Sequence, residues 1–251
     1  MPLNEENLLR DQPKEVIPLK QWIKEFILYI TKVYSFDEMV KRANDFRRTQ
    51  DYKSPTIFTI MLIGFVLRLE SMEEFGRDIQ YGRFKQVVPR KKGKPSHDVL
   101  RDALCQWDLD HLDRCYAQFI AKFKQNRGPQ KGSIDGWRVG AMDGVELFHS
   151  TSRNCSDCLS RKNKKQETEY FHRAVFLQQV GGGSRVVYGI EHLKPRDGVE
   201  KDEGEITGAA RLLENTVKRH GKLVDIMTLD ALYAKANFIN KLLSQNVDFL
   251  Y

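Results

Sequence analysis

Cysteine is scarce: four residues in a chain of 251, too few for the disulfide framework of a secreted scaffold. Long apolar runs are missing too. The longest, 57–66, is broken by Thr59 and Gly64 and falls well short of the about 20 residues a membrane helix needs. The N-terminus, MPLNEENLLRDQPKE, is polar and acidic, where a secretory leader requires a positive start and an apolar core. No internal repeat or low-complexity tract stands out. These gaps exclude membrane, fibrous and disulfide-scaffold classes and lead us to expect a soluble protein of the cytoplasm or nucleoid.

What is present is an ordinary globular composition with a basic bias. At 41% hydrophobic and 30% charged residues, the chain can bury one large core or two modest ones. The formal charge is +7, and the basic residues cluster at 42–48, 83–94, 122–131 and 161–165. Such clustering suits a polyanion or simply a solvated surface.

The first half reads as helices. Trp22, Phe26, Ile27 and Ile30 recur at helical spacing over 19–30. Ser35 with Glu38 makes a capping box for a second helix. Ser54-Pro55 opens a strongly apolar helix over 56–69, the expected centre of a bundle. Ser71 with Glu74 opens another over 72–80, and this closely joined pair resembles a helix-turn-helix unit. After a basic turn at 89–95, Ser96 caps a helix carrying Leu100 and Leu104, and one more runs through Phe123. Cys105 and Cys115 sit in helical pattern and read as core. The polar stretch 126–135 reads as a linker, dividing a helical region 1–125 from a second domain, 136–251.

Past the linker the period changes. Strands are expected at 137–148, 170–180 and 184–191, the last two joined across Gly181-Gly182-Gly183 as a hairpin. A helix follows over 205–220, ended by Gly221. A buried strand at 223–229, a helix at 234–243 and a strand from Val247 complete the chain. That apolar last strand leaves the layer looking cut short. The order β-β-β-α-β-α-β specifies an α/β fold, a ribonuclease H-like mixed sheet behind an all-helical N-terminal domain.

Two aspartates interrupt apolar strands at telling places. Asp143 stands between Met142 and Gly144, and Gly144 leaves room for a close approach. Asp230 follows Ile226-Met227-Thr228-Leu229, at the edge where α/β sheets bind ligands. In the expected strand order the two meet. Paired carboxylates suit Mg²⁺ or Mn²⁺, which could activate a hydroxyl in phosphodiester chemistry. Singly, each aspartate would read as a turn or cap residue.

The blocks AMDGVELFHS, YFHRAVF and DIMTLDALYAKANFINKLLSQNVDFLY resemble the IS4-type branch of the DDE transposases. The likeness extends from about residue 136 to 251. It implies a ribonuclease H-like catalytic core with Asp143 and Asp230 as first and second catalytic acids. The third, a glutamate, is expected on a helix beyond the strand starting at Val247. Glu203, Glu205 and Glu214 do not match its family position. The resemblance implies a DNA transposase that cleaves and transfers strands with Mg²⁺ or Mn²⁺, incomplete in its third acid. Its implied partners are double-stranded DNA at element ends and targets, with homodimerisation open. A catalytically inactive DNA-binding remnant and a stand-alone nuclease of this fold are the alternatives.

Cys155-Ser-Asp-Cys158 is a separate motif. With His149 and His172 nearby it suits tetrahedral Zn²⁺, and a reduced surface pair is the competing reading. Arg153, Arg161, Lys162, Lys164 and Lys165 surround it and fit phosphate contacts. Tyr233 and Lys235 are further candidates for the DNA backbone, with core packing and solvent as their ordinary roles.

Overall fold

Apolar spacing sets the helices of the first half. The computed structural model describes residues 18–81, 84, 94–183, 185–195 and 202–251. The lead-in before residue 18, most of the basic segment 83–94 and the middle of the loop 194–204 lie outside the described residues. The chain forms two compact units, Met1–Cys115 and Tyr116–Tyr251.

The first unit holds α1 (Leu19–Tyr34), α2 (Phe36–Lys41), α3 (Ser54–Val66), α4 (Met72–Gln80), α5 (His97–Cys105) and the start of α6 (Leu109–Gln125). Its core gathers Ile23, Ile57, Ile60, Ile63, Phe75, Ile79, Leu100 and Trp107. Burying each isoleucine contributes about 1.5–3 kcal/mol. Gly64 permits α3 and α4 to touch, since a Cβ there would overlap the Phe75 ring. Two of the expected caps form: Ser71 Oγ accepts from Glu74 N–H, and Ser96 Oγ from Val99 N–H. Ser35 does not cap with its side chain. It takes a left-handed φ of 56° and ends α1 as it begins α2. Part of the 42–48 basic cluster is spent internally, because Arg47 is paired at 2.6 Å with the buried Asp45.

The second unit is built on a six-stranded mixed sheet. Its strands are β1 (Val139–Ser150), β2 (Leu159–Lys162), β3 (Thr168–Val180), β4 (Val187–His192), β5 (Ile226–Thr228) and β6 (Asp248–Leu250). β3 pairs antiparallel with β1 on one side and with β2 and β4 on the other. β1 then pairs parallel with β5, and β5 with β6. Apart from the short added β2, the path is the ribonuclease H-like order, an open sheet crossed by helices. α8 (Glu205–His220) and α9 (Ala236–Ser244) make the two crossovers. Ala209, Leu212 and Leu213 are buried on α8, the inner stripe read from spacing. Gly221 ends it at φ 70° with an extended ψ rather than a left-handed turn.

Two elements were not legible from apolar pattern. α7 (Gly128–Lys131) lies in the expected linker, with Gly128 and Pro129 buried and Pro129 carbonyl accepting from the Gln179 amide. β2 is exposed along three of its four residues, so it carries little hydrophobic signal.

The start of the β1–β5 pair is fixed by charge. Arg138 donates through Nε and Nη2 to both Asp225 oxygens, at 2.8 and 2.6 Å, and through Nη1 to Lys222 carbonyl. These hydrogen bonds hold the Asp225 carboxyl well below the usual carboxylate range.

Candidate functional site

The register of β1 and β5 determines what meets at the sheet edge. The 87-residue offset that pairs Val139 with Ile226 also separates Asp143 from Asp230. Asp143 is the fifth residue of β1, and Asp230 lies two residues past β5. Both are exposed.

One oxygen of each carboxylate is bonded to a local backbone group. Asp143 Oδ1 accepts from Gly144 N–H at 2.8 Å. Asp230 Oδ1 accepts from Leu232 N–H at 2.8 Å and caps the one-turn helix Ala231–Tyr233. A third acid comes from the start of α8. Glu205 Oε1 accepts from the Tyr233 hydroxyl at 2.6 Å, and its Oε2 lies 3.7 Å from Arg173. Gly144 makes this possible: a Cβ there would fall 2.2 Å from Glu205 Oε2. The space beside Asp143 is thus filled by a side chain of the same domain. Tyr233 is fully buried. Burial first, then the negative charge of Glu205, Asp143 and Asp230, pushes its hydroxyl far above the ordinary range.

This geometry corrects the expected transposase chemistry of metal-dependent DNA cleavage and strand transfer. That chemistry needs an acid set converging on shared cations. Among the described residues, Asp143, Asp230 and Glu205 do not form a group of three whose oxygens all lie within 4.8 Å of one another. Among the described residues, the group of three metal-capable side chains that does converge is Cys155, Cys158 and His172. Glu205, Arg173 and Tyr233 instead form a pairing network. By sequence, Glu205 does not match the position of the glutamate in the resembling transposases. Its contacts with Tyr233 and Arg173 depend on tertiary placement that no local pattern reveals.

The cysteine motif lies at the base of the β2–β3 hairpin. Cys155 Sγ is 3.6 Å from Cys158 Sγ and 3.3 Å from His172 Nε2, and Cys158 Sγ is 3.4 Å from that nitrogen. A tight turn sets the spacing, with Cys158 N–H donating to Cys155 carbonyl at 3.3 Å. Burial pushes the Cys158 thiol above its ordinary value; a bound cation would favour the thiolate instead. His149 does not join the group. It pairs with Phe171 in the ladder while His172 pairs with Phe148, and neighbouring residues of a strand point to opposite faces. His149 Nδ1 lies 3.7 Å from Glu146.

The basic candidates separate by environment. Arg161 is engaged, donating to Glu146 and Glu169 with its guanidinium 4.6 Å above the Phe171 ring. Lys162 Nζ donates to Thr168 Oγ1. Arg153, Lys164 and Lys165 are exposed, the two lysines at the turn between β2 and β3. Asn163 shapes that turn by accepting from Lys165 and Glu167 N–H groups. Lys235 is exposed at the start of α9, whereas buried Tyr233 presents no surface to a ligand.

No family model matches the chain, and no curated protein matches it. Among solved structures it is similar to one described as "Crystal structure of a pre-cleavage Mos1 transpososome". The identity is 10%, covering 98% of this chain and 71% of that one, with a TM-score of 0.26. A likeness at that score carries no argument about shared function. Among the described residues, no helix is long and apolar enough to cross a membrane.

Proposed function

We propose that this chain binds DNA without cutting it, as a non-cleaving relative of the IS4-type DDE transposases. The observation that carries this reading is the state of the acidic edge. Asp143 and Asp230 accept from neighbouring backbone N–H groups, and Glu205 is turned to Tyr233 and Arg173. The resemblance around both aspartates and the ribonuclease H-like strand order support the kinship. The charge of +7 and the exposed Arg153, Lys164 and Lys165 support a polyanionic partner. Contacts of this kind give affinity that is salt-dependent and indifferent to sequence.

Duplex DNA binding measured across a salt series, beside a cleavage assay with Mg²⁺ or Mn²⁺, tests both halves. Binding should weaken steeply with salt, and no strand should be cut. Replacing Lys164 and Lys165 by alanine should flatten the log–log salt slope by about 0.9 per lost phosphate contact. Asp143→Asn and Asp230→Asn should bind as the wild type does. Metal-dependent cleavage that disappears in both asparagine variants would defeat the non-cleaving reading. Binding that ignores salt would defeat the DNA reading.

A further inference from the structure

Cys155, Cys158 and His172 form a cluster independent of the acidic edge. We propose that these three side chains hold one Zn²⁺, which clips the 151–158 loop to the base of the basic β2–β3 hairpin.

The separations match what a single tetrahedral ion requires. Zinc bonds of about 2.3 Å to sulfur and about 2.0–2.1 Å to nitrogen place two sulfurs about 3.8 Å apart and a sulfur and nitrogen about 3.5 Å apart. The corresponding separations here are 3.6 Å between sulfurs and 3.3 and 3.4 Å from sulfur to nitrogen. Each differs from the ideal by a few tenths of an ångström or less. A disulfide would need the sulfurs within about 2.05 Å, so at 3.6 Å the pair is reduced. All three atoms lie within 4.8 Å of one another.

Donor chemistry selects the ion. Two thiolates and an imidazole are soft to borderline ligands, suited to zinc and unsuited to Mg²⁺ or Mn²⁺. Ligand placement also has a mechanical sense. Cys155 and Cys158 lie in the turn just before β2, while His172 is carried by β3. An ion joining them ties the entering loop to the strand against which β2 pairs. β2 pairs with β3 over only four residues, Leu159–Lys162 against Phe171–Thr168, and of the β2 residues Leu159 alone is buried. A hairpin with so little apolar anchoring gains from a metal clip at its base. Its turn carries Lys164 and Lys165, so the clip would steady that exposed basic turn. Three protein ligands leave the fourth position for water or another small donor, because His149 is on the opposite face of β1.

The test uses the full chain, purified under reducing conditions. Zinc content by elemental analysis should be about one per chain, and Co²⁺ substituted for it should give a thiolate-to-cobalt charge-transfer band. His172→Ala should lower zinc occupancy at least tenfold under dialysis, and Cys155→Ser with Cys158→Ser should abolish both metal and band. His149→Ala should retain both. Circular dichroism of each variant checks that it has folded, and the charge-transfer band in the wild type reports the thiolates without any variant. Reduced wild-type protein that takes up neither Zn²⁺ nor Co²⁺ would overturn the proposal. So would His149→Ala losing the metal while His172→Ala keeps it.

Discussion

Asp143 and Asp230 lie level at one end of the β1–β5 pair, yet each turns an oxygen to a backbone N–H beside it. Cys155, Cys158 and His172 lie at the base of a short hairpin, and their donor atoms turn to one another. Both sets were candidate metal ligands on sequence. Strand register decides which residues are neighbours, but it does not by itself bring their polar atoms together. At the acidic edge the backbone and Tyr233 compete successfully. In the cysteine turn Cys155 N–H also reaches Cys158 Sγ, at 3.3 Å, yet the three donor atoms still converge.

Metal loading should separate the two places most strongly. A ligand present at a hundredfold excess over its dissociation constant stabilises the folded state by about 2.7 kcal/mol. Urea denaturation of the reduced chain should therefore show a gain of that order with Zn²⁺. The cysteine double variant should show none, and Asp143→Asn should show the full gain.

The next effect concerns what aligns the aspartates. Arg138→Met removes charged hydrogen bonds from Asp225 and should cost about 2–3 kcal/mol, read in the same denaturation experiment. Zinc content should not change, since neither β2 nor β3 depends on that pair. The same pair has a pH signature. Asp225 is depressed in the folded state by Arg138, so its contribution is complete above the ordinary aspartate value of about 3.9. It is lost as pH falls from there through the depressed folded value. Acid denaturation should accordingly be shallower in Arg138→Met than in the wild type between pH 4 and pH 2, an interval of about two units.

Within the acidic edge, Tyr233→Phe deletes the hydroxyl that Glu205 accepts and should cost about 1–1.5 kcal/mol. Asp230→Ala removes the cap on Leu232 N–H and should cost about 1 kcal/mol. Asp143→Ala, at an exposed carboxylate bonded only to its neighbour, should stay within about 0.5 kcal/mol of wild type. A larger penalty at Asp143 than at Tyr233 would show the edge to be organised around the aspartate instead of the tyrosine.

The sheet was readable because its long strands carry apolar runs and its crossovers are amphipathic helices with ordinary stops. Even the pairing of β1 with β5, which carries Asp143 and leads to Asp230, followed from strand order alone. β2 escaped notice because Ser160, Arg161 and Lys162 are exposed and polar, so no alternation marks them. At the acidic edge, Gly144 signalled open space, but only the fold shows that Glu205 fills it. The cysteine motif was visible, and its histidine partner was settled by ladder register: one residue along β1 or β3 turns a side chain to the other face. His149 and His172 look alike in sequence and differ only there.

The most direct measurement is metal titration of the reduced full chain with Zn²⁺ and, separately, Mn²⁺. It compares the wild type, Cys155→Ser with Cys158→Ser, and Asp143→Asn with Asp230→Asn. Zinc should bind at one site in the wild type and the asparagine variant and not in the serine variant. A metal site that persists without the cysteines and vanishes with the aspartates would contradict the assignment and return the chemistry to the acidic edge.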